Sequence, residues 1–285
     1  VTFQVAIPSH RRARLLESAT LATLARGGVD LGDVTVFLDR TDPDMDAYGA
    51  LARRLGLRLV VSQVRGINPQ RRLISGHYAP GVRVLCMDDD VTDVVRAIDT
   101  KHLEPIGRGL AQWITAAFDH TDAVGLKVWG TSAVANAYFM TPGRPPTEDL
   151  KFLIATMYGF VSRPGHPVHN TTVAVKEDYE LSLRAWWYDG GVVRYGDVTT
   201  RADHYKAPGG CQDYRTADVS LQAAASLEND WPGIVRRNTR RKSGHAEILL
   251  NRRPRHGGRP PQADLPGIYR PSHGSASGAP AQDPV

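Results

Sequence analysis

Val82-Arg83-Val84-Leu85-Cys86-Met87-Asp88-Asp89-Asp90 is the stretch that decides the fold class of this chain. A mostly apolar segment runs straight into three consecutive carboxylates. The apolar part reads as a buried strand. Adjacent like charges repel and a buried unpaired carboxylate is costly, so strand stability alone does not call for this ending. A hard divalent cation, Mg²⁺ or Mn²⁺, removes that cost because it prefers carboxylate oxygen. The plainer alternative is an acidic loop standing in water. In open α/β sheets ligands gather at the carboxyl ends of strands, which favours the cation.

The residues upstream of this stretch supply such a sheet. Phe3–Pro8 reads as a first strand, and Ser9 as the N-cap of a helix carrying Leu15, Leu16, Ala19, Leu21 and Leu24, ended by Gly27-Gly28. Asp33–Leu38 and Leu57–Ser62 are further strands, with a helix over Asp44–Leu55 stopped by Gly56 and another over Asn68–Tyr78. Strands alternating with helices in this way predict a doubly wound α/β fold with a mostly parallel central sheet flanked by helices. Downstream, Ile106–Phe118 has helical spacing, Ala123–Trp129 and Thr171–Val175 look strand-like, and Thr141–Glu148 and Val161–His169 are Pro/Gly-bearing loops. A helix begins at Lys176-Glu177-Asp178, with acids in its first turn where the macrodipole favours them, and a last helix covers Thr216–Leu227.

With 285 residues the chain can bury a sizeable core. It has no apolar run near the ~20 residues that span a bilayer, and Val1–Pro8 reads as a strand with no basic segment before it, so neither a membrane anchor nor a secretion signal is expected. Cys86 and Cys211 make no disulfide framework, which suggests a reduced, cytoplasmic protein. They and the histidines lack zinc-ligand spacing. The net charge of +5 is unevenly spread. Arg236, Arg237, Arg240, Arg241, Lys242, Arg252, Arg253, Arg255 and Arg259 stand against Glu247 alone, leaving the rest of the chain acidic. Such a concentration points to a polyanion such as nucleic acid, or else to a solvated tail. From Pro254 onward the composition is too rich in Pro, Gly, Ser and Ala to pack. Residues 1–100 read as one half of a domain and 101–230 as its other half, with 231–285 a basic extension.

Gly66-Ile67-Asn68-Pro69-Gln70-Arg71 precedes the acids by one helix and one strand, and Asn68 and Arg71, three apart, share a helix face aimed at the same sheet edge. Together with Ile7-Pro8-Ser9-His10-Arg11-Arg12, the Asp88-Asp89-Asp90 strand end and the later Lys176-Glu177-Asp178-Tyr179-Glu180-Leu181-Ser182-Leu183-Arg184, this order resembles the GT-A class of nucleotide-sugar-dependent glycosyltransferases. Within that class these stretches are most similar to the TET-associated glycosyltransferases, a phage-borne family that attaches sugars to 5-hydroxymethylpyrimidines in DNA. The resemblance runs from about Val1 to Arg215 and leaves out the basic tail.

The resemblance implies a uridine-diphosphate sugar as donor and Mn²⁺ or Mg²⁺ as cofactor. Asp90 would bind the metal, and Asp88 would contact the ribose or sugar and reach the metal, with Asp89 beside it in the donor site. Pro8, Ser9, Arg12 and Asp39 would surround the base and ribose, and Asn68 and Arg71 would complete the nucleotide pocket. His204 would be an extra metal ligand and Lys206 would approach the diphosphate. Asp178 would be the general base, with Glu177 fixing the acceptor or sugar hydroxyls. A base acting on a primary alcohol contributes about 10²–10⁴-fold and implies inversion by one in-line displacement. Arg236, Arg237, Arg240, Arg241, Lys242, Arg252 and Arg253 would hold DNA by its phosphates without reading sequence.

Other readings compete. Helix acids often only satisfy the dipole, and Trp186-Trp187-Tyr188 is either core or a stacking surface for an extruded base. The same fold could serve a protein, lipid-linked or small-molecule acceptor, because a scaffold does not choose its substrate. A nucleic-acid-binding protein with a decayed transfer site is the third possibility.

Overall fold

A computed structural model of the chain describes residues 3–202, 216–238 and 247–251. The first half follows the expected alternation. Strands β1 (Gln4–Pro8), β2 (Val34–Asp39), β3 (Arg58–Ser62) and β4 (Arg83–Met87) lie in the order β3-β2-β1-β4, all parallel. Between them run a helix made of α1 (Ala13–Leu16) and α2 (Ala22–Arg26) joined by a π-helical stretch at Glu17–Leu21, then α3 (Met45–Leu55) and α4 (Ile67–His77). Gly56 ends α3 with φ 73°, the left-handed conformation that glycine adopts without a Cβ clash.

After β4 the chain makes β5 (Val91–Ala97), β6 (Leu103–Pro105), α5 (Leu110–Ala123), β7 (Val128–Thr131), β8 (Met157–Val161), α6 (Glu177–Asp189), β9 (Val193–Tyr195) and β10 (Val198–Ala202). Strands β8, β7 and β9 extend the central sheet to seven strands, with β8 antiparallel to both neighbours. The remaining three form a small second sheet in the order β10-β5-β6. The architecture is therefore mixed α/β with a mostly parallel central sheet, as expected.

Alternation along each strand fills both faces. Val5, Ile7, Val34, Val36, Leu38, Leu85 and Met87 pack with Leu16, Leu24, Tyr48 and Leu51 on one side and with Ile114 and Phe118 of α5. Ala6, Phe37, Val84 and Cys86 face the other side, against Ile74 of α4 and Leu181 and Ala185 of α6. Burial on both faces is what a sheet covered by helices requires. A close approach that needs a glycine lies at Gly159, where a Cβ would stand 2.1 Å from the Trp129 indole nitrogen on the neighbouring strand.

Several expectations need correction. Ser9 is not a helix cap, since α1 starts after Arg12 and no side chain caps it. The strand read at Ala123–Trp129 is displaced to Val128–Thr131, because α5 continues through Ala123. Thr171–Val175 is not a strand. Its carbonyls at Thr171 and Val173 accept from Asn68 Nδ2 instead of a strand partner. The second sheet and β8 were not foreseen. The start of the C-terminal extension also packs. Helix α7 (Ala217–Asp230), capped by Thr216, leads to β11 (Val235–Arg237), which pairs with β12 (Ile248–Leu250). Trp231, Ile234, Val235 and Ile248 are buried beside Leu183 of α6. Among the described helices none is long and apolar enough to cross a membrane, and Cys86 is buried and free.

At the amino edge of the sheet His169 is buried, its ring 4.6 Å from that of Phe160 and its Nε2 without a hydrogen-bond partner among the described residues. Burial, then the charges of Arg163 and His166, push the imidazole down to about 3. The unfolded chain therefore takes up a proton below about pH 6.5 that the folded chain refuses, so stability falls as pH drops from 6.5 toward 3. Urea unfolding at several pH values should show His169→Phe losing up to ~1.4 kcal/mol per pH unit of that slope. An unchanged slope would mean His169 is not the group responsible.

Candidate active site

Strands β1, β2 and β4 end on one edge, and the residues that follow them meet there. The acid turn Asp88–Asp90 is built by hydrogen bonds from two sides. Thr20 Oγ1 donates to the Asp88 carbonyl (2.8 Å) and accepts from Val91 N (3.0 Å). Thr23 Oγ1 donates to the Thr92 carbonyl (2.8 Å), and Asp88 N donates to the Thr156 carbonyl (3.0 Å). Thr20 lies in the π-helical stretch, a local widening that recurs at functional sites. Its signal in the sequence is weak: a threonine inside a leucine-bearing helix.

Asp89 and Asp90 are buried, and Asp88 is half-buried. Ser9 Oγ donates to Asp89 Oδ2 (2.6 Å) and lies 2.7 Å from the Tyr48 hydroxyl. Arg12 Nη1 donates to Asp89 Oδ1 (3.1 Å) and stands 3.6 Å from Asp90 Oδ2. Burial pushes the Asp89 carboxyl up to about 6, against the pull of Ser9 and Arg12, and the Asp90 charge adds to the rise. Asp90 Oδ1 is buried with no hydrogen-bond partner among the described residues. Such a group is costly unless something else satisfies it, and a hard cation is the chemistry a carboxylate oxygen suits. Among the described residues no three His, Cys, Asp or Glu side chains gather into a metal-holding group. Asp90 is therefore the residue of this turn whose free carboxylate oxygen could hold a hard cation.

Arg71 joins the two halves of the site. It is buried, with Nη1 donating to Glu177 Oε1 (2.6 Å) and Nη2 to Asp88 Oδ1 (3.0 Å) and to the Ala155 carbonyl (3.1 Å). Burial opposes its charge, but Glu177 and Asp88 outweigh that and hold the guanidinium firmly protonated. Asn68, three residues earlier on the same face of α4, spends its amide on Thr171 and Val173 and accepts from Thr171 Oγ1. Both residues reach the predicted edge, and their contacts there are to the protein's own groups. Asp178, the neighbour of Glu177 at the start of α6, is half-buried, with Oδ1 accepting from Tyr179 N (2.9 Å).

Pro8 is buried at the end of β1. Asp39, at the end of β2, accepts from Thr41 N (3.0 Å) and Thr41 Oγ1 (2.9 Å) and pairs with Arg65 Nε (2.8 Å). Burial raises its carboxyl, but the two Thr41 hydrogen bonds and Arg65 bring the net effect below the ordinary range. His204, Lys206, Arg240, Arg241, Lys242, Arg252 and Arg253 lie outside the described residues. Arg236 and Arg237 are exposed on β11, and Arg237 donates from N (3.0 Å) and Nε (2.6 Å) to Glu228. Trp186 and Trp187 pack against the cluster of α6 and α7, with Trp187 edge-on to Trp231 at 6.0 Å. Tyr188 lies edge-on to His166 at 5.5 Å.

No protein-family model and no curated protein matches the sequence. Among solved structures, the mannosyltransferase PcManGT from Pyrobaculum calidifontis, in complex with GDP-Man and Mn²⁺, is similar with a TM-score of 0.52 and 13% identity, over 72% of this chain and 58% of that one. S. aureus TarS 1-349 in complex with UDP-GlcNAc gives a TM-score of 0.49 and 15% identity, over 80% of this chain and 67% of that one. The chain thus spans about two thirds or less of either protein. At such low identity the mannosyltransferase likeness establishes the GT-A type of fold and nothing narrower.

The Thr20 bridge yields a stability expectation. Thr20→Val keeps the shape but strands the Asp88 carbonyl and the Val91 amide, which should cost about 2–4 kcal/mol by urea unfolding. A loss below about 0.5 kcal/mol would show that the acid turn does not depend on it.

Proposed function

We propose that this chain is a glycosyltransferase that moves a sugar from a uridine-diphosphate donor to the hydroxyl of a 5-hydroxymethylpyrimidine in DNA, with 5-hydroxymethylcytosine the first acceptor to test. The observation that carries the transferase reading is Asp90. Its carboxylate is buried at the carboxyl edge of a GT-A-type sheet, with one oxygen left unmatched. The neighbouring Asp88 is tied through Arg71 to a second acidic pair at the start of α6. The mannosyltransferase with which the fold is shared was solved with a nucleotide-diphosphate sugar and Mn²⁺, which supports the same ligand chemistry here.

In this reading Asp90 holds a divalent cation and Asp88 lies beside the donor. When bound, the cation neutralises charge that develops on the diphosphate as it leaves. Ser9 and Arg12 engage Asp89 and so fix the turn from which both outer acids project. Asp178 takes the proton of the acceptor hydroxyl, because Glu177 is already engaged by a buried guanidinium and is the poorer acceptor. A single displacement assisted by one carboxylate inverts the anomeric centre. The DNA part of the proposal rests on the resemblance to the phage-borne family and on the basic run that begins at Arg236.

One observation favours a second acceptor class. Arg237 is paired with Glu228, so its charge is partly spent within the protein. A protein, lipid-linked or small-molecule hydroxyl is the corresponding alternative.

Two experiments separate these cases. Asp90→Asn should lower Mn²⁺-dependent cleavage of the productive uridine-diphosphate sugar by about 10²-fold or more, with unchanged circular dichroism. A wild-type protein inert toward every nucleotide sugar would remove the transferase reading. Turnover on hydroxymethylated DNA should fall steeply between 50 and 200 mM salt, on the order of 10-fold or more, while donor hydrolysis changes little. Equal salt sensitivity of the two, or full activity on a free nucleoside, would point to the smaller acceptor.

A further inference from the structure

The N-terminal face of α4 performs a task that neither its sequence pattern nor the fold assigns to it. Glu177 and Asp178 are delivered by a segment, residues 171–176, that forms no strand and so has no ladder to hold it. The segment ends at Lys176, whose φ of 66° places a residue with a full side chain in the left-handed region, and no side chain caps the helix that starts there. Backbone in this state persists only where its surroundings impose it, and it clusters at functional sites.

Those surroundings come largely from α4. Asn68 Nδ2 donates to the carbonyls of Thr171 (3.1 Å) and Val173 (2.8 Å), and Arg71 Nη1 donates to Glu177 Oε1 (2.6 Å). Glu180 closes the loop from the other side, accepting from Thr172 N (2.6 Å) and Val173 N (3.1 Å). Arg71 also holds Asp88 with its second amino group. All of Asn68, Arg71, Glu177 and Glu180 are buried.

We propose that Asn68 and Arg71 form a two-point clamp that sets the place of the Glu177-Asp178 pair relative to the acid turn, with Arg71 a positioning residue. The proposal rests on the transferase reading and deepens it. The guanidinium is a rigid planar fork, and here its two tines fix two carboxylates from different elements at one separation. Displacing Asp178 by an ångström changes the reaction geometry without removing a group that touches donor or acceptor. Reaction rate is far more sensitive than binding to such a shift.

Arg71→Lys keeps the charge and loses the fork. It should bind uridine diphosphate with Mn²⁺ within about threefold of the wild type by calorimetry, while kcat falls by about 10²-fold. Hydrogen exchange of the amides over residues 176–182 should quicken in the same variant. Glu177→Gln, which keeps the shape and weakens the ion pair, should lower kcat by about tenfold at unchanged nucleotide affinity, and it carries the test should the lysine variant not fold. Loss of nucleotide affinity with kcat preserved would make Arg71 a donor ligand and overturn the proposal, and so would unchanged kcat with unchanged exchange. A wild type without turnover would defeat the transferase reading, yet the exchange measurement would still decide whether α4 holds this segment.

Discussion

Everything at the carboxyl edge of this sheet is arranged around a surplus of negative charge. Asp88, Asp89, Asp90 and Glu177 share two guanidinium groups, Arg12 and Arg71. A low-dielectric setting magnifies both the attraction within each pair and the cost of the carboxylates left over. The Asp89 carboxyl, raised to about 6 by burial and by the neighbouring Asp90 charge, marks that cost. A divalent cation at Asp90 would offset part of it. The same repulsion explains why the turn is pinned so thoroughly by Thr20, Thr23 and the Thr156 carbonyl: three adjacent carboxylates would otherwise spread apart.

The first half of the fold was legible in the sequence because each element there has its own local signal. Strands β1 to β4 are mostly apolar runs separated by helices, and Gly56 marks a helix end by a left-handed conformation that other residues resist. The second half was not, for identifiable reasons. Val91–Ala97 carries four of its seven residues as valine or threonine, yet it follows the acids without a break, so the end of one strand masked the start of the next. Thr171–Val175 has strand propensity, but Asn68 takes the carbonyls that a neighbouring strand would need. Tertiary partners of this kind overrule propensity and leave no mark at the positions they act on.

The candidate site divides in the same way. The acids and their order along the chain were readable, because residue type and strand position carry the chemistry. Their partners were not. Asn68 and Arg71 share a helix face, and their protein-side partners at Thr171, Val173, Glu177 and Asp88 come from tertiary packing that spacing along a helix does not reveal. Thr20 and Tyr48 carried no distinguishing signal, since their role comes from the sheet bringing residues 68 and 39 positions apart into contact with Asp88 and Ser9.

Strain completes the picture, and it is placed with some economy. The non-glycine residues with positive φ among the described residues are Arg11 and Lys176. One lies in the turn that carries Ser9 and Arg12 to Asp89, the other immediately before Glu177 and Asp178. Each such residue costs on the order of 1–3 kcal/mol, so each needs local compensation. Arg11 N donates to Asp42 Oδ2 (2.8 Å), and the same buried carboxylate accepts from Asp44 N (2.8 Å) and stands 3.0 Å from His10 Nδ1. Lys176 is held through its carbonyl, which accepts from Tyr179 N and Glu180 N, and through Arg71 on the next residue. The two strained turns at the edge are thus, like the acid turn, held in place by the rest of the molecule. A site assembled this way keeps its acids close only while both anchors stand, which is why α4, through Asn68 and Arg71, bears on how the edge is held.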